Sequence, residues 1–171
     1  ATFGTKPRTV ADHDWAWWRN LAREQQTRGN ARNAALLYNM AMDLLVPAPW
    51  VRPDMLQQLM AEQRKLHPEN LPNNRKERWV TTDDTEFFPF QASCDIVPGG
   101  VGVRFTYEVE EGADSTAVKA AAPKLVDFVR TTFPEYAEVF RVVRLEAVSA
   151  GNRELVWVGE FPLKPAPGPP Q

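Results

Sequence analysis

The sequence predicts an α+β fold, a helical N-terminal half followed by a sheet, and three observations carry that expectation. Apolar residues recur at helical spacing through the first part of the chain and at a period of two after the middle. Between the two regimes residues 69–78, with Pro72, Asn73 and Asn74, read as a linker. Beyond it the segments follow the order strand, strand, helix, strand, strand, which favours an antiparallel sheet of about four strands with one helix laid across a face. The expected organisation is an N-terminal tether over residues 1–11, a helical unit over 12–68, the linker over 69–78, an α+β unit over 79–163 and a Pro-rich tail over 164–171.

Asp12 or Asp14 is placed to cap a first helix of about sixteen residues that runs to Arg28, because a short acidic side chain accepts from the first unpaired helix amides. Gly29-Asn30 turns the chain, residues 31–45 form the partner helix, and Val46-Pro47 stops it. A third helix reads from Pro53, which suits a first turn, to Leu66, with Leu56, Leu59, Met60 and Gln63 on one stripe that covers the hairpin.

Within this hairpin Trp18, Leu21 and Ala22 face inward from the first arm, and Ala34, Tyr38 and Ala41 answer from the second. The small residues let two helix backbones approach, and the large ones fill what remains. This arrangement resembles one unit of the tetratricopeptide repeat, over about residues 15–47. It departs from that pattern at Gln25, where a Tyr is usual, and at Pro47, which stands one residue beyond the usual place. No family resemblance is noted for the C-terminal half. The resemblance implies protein binding. Arrays of such units need about three repeats to bury a continuous core, so something else must cover the open faces of a single one.

In the second half Phe88, Phe90, Ala92, Cys94 and Ile96 alternate with polar positions, and after Pro98-Gly99-Gly100 the alternation resumes as Val101, Val103, Phe105, Tyr107 and Val109. That is a hairpin with one buried face. Asp114 or Ser115 caps the next helix, where Val118, Ala122, Leu125, Val129 and Phe133 form a stripe and Pro123 is expected to kink or divide it. Pro134 ends it. A second hairpin spans about residues 139–148 and 155–163, joined through Gly151-Asn152. The tail, with Pro165, Pro167, Pro169 and Pro170, is polyproline-like and too stiff and polar to join a core.

At 171 residues, 43% hydrophobic, 25% charged and with a formal net charge of -2, the chain is long enough for one or two globular cores. No run of about eighteen apolar residues exists, so no membrane span is expected. The single cysteine, Cys94, excludes an internal disulfide and a cysteine-rich zinc site, and its place on the apolar side of a strand predicts an inert thiol. Residues 1–7 read as a short tether, which favours an exported, processed or lipid-anchored protein over a cytoplasmic one. Charge is uneven: residues 1–78 carry 12 Lys and Arg against 8 Asp and Glu, the remainder 8 against 14. The halves are expected to attract each other, and each also offers a partner a surface of its own sign. The basic residues are too scattered for nucleic-acid binding.

Catalytic chemistry finds little foothold. His13 and His67 are tied to no nucleophile by spacing, and Asp12, His13 and Asp14 suit capping better than metal binding because adjacent side chains diverge. No calcium loop or glycine-rich phosphate cradle occurs, and no cofactor is expected. The candidates for function are aromatic. Trp15, Trp17 and Trp18 lie within four positions at about 100° per residue, so one core cannot absorb all three. With Trp18 facing the hairpin and Trp15 near it, Trp17 is left to contact the second half of the chain, the favoured fate, or a foreign surface. Trp15, Trp17 and, on the proline-rich connection, Trp50 are the candidate partner-binding residues, and the chain reads as a non-enzymatic interaction module, an accessory or assembly subunit of a larger complex. The alternative is a small-ligand carrier or an enzyme with a site between helix and sheet in the second half, lined by Phe88, Phe90, Phe105, Tyr107 and Trp157.

Overall fold

The computed structural model describes residues 9–45 and 53–164, which belong to two units that divide between Glu69 and Asn70. The tether through residue 8, the stop at Val46-Pro47, Trp50 and the Pro-rich tail from residue 165 lie outside the described residues.

The first unit contains α1 (Trp15–Thr27), α2 (Ala31–Leu45) and α3 (Pro53–Arg64). Of the two candidate caps it is Asp14 that serves: its carboxylate accepts from the Trp17 amide at 3.0 Å. The turn after α1 is a Schellman motif. Gly29 takes φ +83°, its amide donates to the Gln26 carbonyl at 3.0 Å, and the Asn30 amide donates to the Gln25 carbonyl at 2.9 Å. This reversal folds α2 back onto α1, where Ala22, Ala34 and Ala41 are completely buried beside Trp18 and Tyr38. The Tyr38 hydroxyl donates to Gln26 at 3.0 Å. Gln25 is also buried, and its side-chain oxygen accepts from Asn30 at 2.8 Å and Asn33 at 3.0 Å, so its burial leaves no acceptor unmet.

Helix α3 is shorter than expected and grips the hairpin through fewer apolar groups. Leu59 is buried, but Leu56 is only half-buried and Met60 is 36% exposed. The attachment is largely polar: Arg23 of α1 donates to Glu62 at 2.5 Å, and Gln63 donates to the Ala35 carbonyl of α2 at 3.2 Å and to Asn39. Leu59, Glu62 and Gln63 stand three and four residues apart on one face, from which Met60 is rotated away.

The second unit contains β1 (Trp79–Val80), β2 (Glu86–Val97), β3 (Gly100–Val109), α4 (Ser115–Thr132), a 3-10 turn (Pro134–Glu138), β4 (Val142–Ser149) and β5 (Leu155–Pro162). The sheet order is β1-β2-β3-β4-β5, five strands where about four were expected, and the sheet is mixed: β3 and β4 are parallel, the other neighbours antiparallel. The expectation of a wholly antiparallel sheet is corrected by the length of α4. Eighteen residues rise about 27 Å, close to the roughly 33 Å of a ten-residue strand, so the helix returns the chain to the starting end of β3. The next strand then sets out in the same direction. Gly102 eases the start of that joint, because a Cβ there would stand 2.7 Å from the Val142 side chain.

Asp114 caps α4 by accepting from the Thr116 amide, and the helix runs undivided through Pro123. Pro123 lies on the exposed face, where the carbonyl it deprives of a donor faces water. In β2 the register shifts between Pro89 and Gln91, leaving Phe90 as an extra residue. The simple alternation expected there is therefore broken: Phe87 and Pro89 are buried before the bulge, Ala92 after it, Cys94 is half-buried and Ile96 is 56% exposed. Along the same strand the Ala92 amide donates to the Pro72 carbonyl and the Glu77 amide to the Pro89 carbonyl.

The core of this unit is an aromatic chain. Trp79 packs on Phe105, Phe128 and Phe133 with ring centres 5.3, 5.5 and 5.4 Å apart, and Tyr136 touches Phe105 and Phe133 at 5.7 Å each. Leu125, Val129, Val143 and Leu145 fill the space around it. Trp79→Ala is expected to lower the stability of this unit by about 3–5 kcal/mol, read from chemical denaturation followed by circular dichroism; a loss below about 1 kcal/mol would show that the cluster is not the core.

Candidate functional site

Two places in the described residues combine exposure with chemistry, one in each unit. The first begins with a tight turn. Val10 and His13 exchange both backbone hydrogen bonds, at 2.9 and 3.0 Å, around Ala11 and Asp12, which take φ +50° and +64°. Positive φ at both central positions is the geometry of a two-residue hairpin turn that glycine and asparagine favour, and an alanine there is strained. The turn delivers the His13 ring onto Trp17 in a parallel stack, ring centres 3.6 Å apart and planes 6° apart. Trp17 in turn meets Trp18 edge-on at 4.9 Å.

The three tryptophans therefore part company as their spacing requires. Trp18 is buried in the hairpin, Trp15 is half-buried under the Arg19 guanidinium at 4.8 Å, and Trp17 is 40% exposed. Trp50, the third expected partner residue, is among the positions outside the described set. His67 lies far along the chain from this cluster, exposed, with φ +40°.

The second place is the surface of the α+β unit. A cavity of about 380 Å³ opens between the start of β2, the end of β3 and the first half of α4, with Phe87, Phe88, Tyr107, Val109, Ala117 and Ala121 in its wall. Of the residues expected to line such a hollow, only Phe88 and Tyr107 do so. Phe105 is filled in with the core, Phe90 lies under the Arg153 guanidinium, and Trp157 folds beside Gly159 and Phe161. The aromatic chain fills the middle of the space between α4 and the sheet, and the cavity is left beside it at the start of the helix. At the rim Glu86 pairs with Arg78 at 2.5 Å and Glu108 with Lys76 at 3.6 Å.

A smaller, polar cleft lies at the β1–β2 turn, where Asp83 accepts from Lys124 of α4 at 2.8 Å and from the Thr85 hydroxyl at 2.9 Å, and also from Thr81. Lys124, then Thr81 and Thr85, hold the Asp83 carboxyl below the usual carboxylate range. These contacts tie the turn to the helix. Among the described residues no group of three or more His, Cys, Asp or Glu side chains is arranged to hold a metal ion, and no helix is long and apolar enough to cross a membrane.

No protein-family model, curated protein or solved structure matches the chain.

Two of the three tyrosines sit in environments that favour the neutral phenol. Burial raises Tyr38, with Glu62 adding to the effect, and burial pushes Tyr107 up to about 12. Because the folded chain keeps the Tyr107 proton to higher pH than the unfolded chain, its contribution to stability is complete below pH ~10 and is lost as pH rises toward ~12. Ultraviolet titration of phenolate is expected to show a late component near pH 12 that Tyr107→Phe removes. Ionisation of all three phenols around the ordinary value of about 10 would contradict it.

Proposed function

We propose that this chain is a protein-interaction module, an accessory or assembly subunit that docks through the N-terminal end of α1. The observation that carries this reading is the exposed Trp17 indole held parallel against His13 by a strained turn. Each residue forced into the left-handed region costs about 1–2 kcal/mol, and such strain persists where surrounding structure has a use for it. Here its product is a flat aromatic platform whose position is set in advance of binding, so little side-chain entropy is lost when a partner lands on it. Trp is among the residues that most often carry interface energy, and Trp17 is the exposed one of the three in α1.

The hairpin behind the platform supports the same reading. We take it as a tetratricopeptide-like unit, with alanines at the close approach of α1 and α2 and with α3 as a partial cover. The test is crosslinking with mass spectrometry in the source cells, comparing the native full chain with Trp17→Ala. The native chain is expected to yield crosslinks from this unit to another protein, and the variant to lose them with a change in stability within about 0.5 kcal/mol. Self-crosslinks alone, or a partner retained unchanged by the variant, would overturn the proposal.

A further inference from the structure

The cavity beside Tyr107 has features that the protein-docking proposal does not use. Tyr107 lies in β3 with its ring edge-on to Phe87 of β2 at 5.8 Å, and it is almost completely buried. Its hydroxyl has no hydrogen-bond partner among the described residues. A buried hydroxyl left in this state is costly, and native structures leave few of them without a function for the open valence. The cavity that Tyr107 helps to line supplies one. Opposite it α4 presents alanines, Ala117 and Ala121, where the next turns carry the buried Leu125 and Val126. The small side chains leave about 380 Å³, within the range of small-molecule sites.

The charge around the opening narrows what fits. No Lys or Arg lines it. Glu86, Glu108 and Glu110 stand at its rim, where they alternate along their strands with Phe87, Tyr107 and Val109. Two of them are paired, Glu86 with Arg78 and Glu108 with Lys76, whose ammonium also lies 5.8 Å over the Phe88 ring. An anionic ligand would give up its water and meet no cation inside, a cost that a neutral one avoids.

We propose that this cavity is a binding site for a small apolar molecule that carries a hydrogen-bond acceptor and no negative charge, with the Tyr107 hydroxyl donating to that acceptor. The phenol suits the role because a tyrosine hydroxyl is protonated across the physiological range, and burial shifts it only further in that direction. Phe87 and Val109 cover the apolar body, and Ala117 and Ala121 set the depth.

Three probes of one shape separate the contributions: acetylnaphthalene, with a neutral acceptor; naphthalene, with none; and naphthoate, with a negative charge. Each is titrated into the full chain while nuclear magnetic resonance follows the amides of Val109, Ala117, Val118 and Ala121. Acetylnaphthalene is expected to cause saturable shifts confined to these residues, and naphthoate to bind about tenfold more weakly. Tyr107→Phe keeps the ring and removes the donor; it is expected to weaken acetylnaphthalene about fivefold to tenfold and to leave naphthalene unchanged. Ala117→Trp, at an exposed helix position that does not depend on the core, is expected to fill the cavity and abolish both. Absence of localised saturable shifts, naphthoate binding as well as acetylnaphthalene, or an equal loss of acetylnaphthalene and naphthalene in Tyr107→Phe would each overturn the proposal.

Discussion

The burial of Trp18 against α2 is the interaction on which the helical unit depends, because it fixes the rotation of α1 about its own axis. Once that indole is inside, with Ala22 one turn on and Gln25 after it, the direction of every other side chain on α1 follows from the helical period. Trp17 must turn outward and Trp15 must lie at the flank. The closeness of α1 and α2 follows from the same choice, since a buried indole fits between two backbones only where alanines stand across from it. Gln25 completes the inward face with a polar group, and the two amide donors of Asn30 and Asn33 make that burial tolerable.

In the α+β unit the comparable constraint is the parallel pairing of β3 with β4. It requires a crossover, the crossover is a helix nearly as long as the strands, and that helix covers one face of the sheet. The chain of rings from Trp79 to Tyr136 fills the middle of the covered face. Toward the amino end of α4 the filling stops, because the helix carries alanines there and the chain of rings has ended, and the space beside Tyr107 results. The opposite face carries a polar lattice in which Arg104 bonds Ser93 and faces Glu146 at 3.7 Å, and Arg144 bonds Asp95.

Much of this was legible in the sequence, and the parts that were not share a physical cause. Helix limits and turns depend on local chemistry, so Asp14, Gly29 and Pro98-Gly99-Gly100 marked them, and the period of residues 101–109 marked β3. Strand direction is not written in a period: a parallel and an antiparallel β4 have the same alternation, and only the length of the intervening helix hints at the difference. The bulge at Phe90 was hidden because Phe87, Phe88, Pro89 and Phe90 are all apolar and mask any change of phase. Two-residue β1 is too short to have a period at all. The outward turn of Trp17 could be expected from helical geometry alone. The stack with His13 could not, since it relies on two residues with positive φ that are neither glycine nor asparagine. The cavity likewise depends on which turn of α4 meets which end of β3, a tertiary fact with no local signature.

The claim at the centre of this account is that α1 is rotated to hold Trp18 in and Trp17 out, so that the platform meets another protein. Placing a photo-reactive phenylalanine analogue at position 17, with exposed position 27 at the other end of α1 as the control, tests it directly in the source cells. The account predicts an adduct with one protein from position 17 and none from position 27. Equal labelling from both positions, or adducts only with copies of this chain, would contradict it.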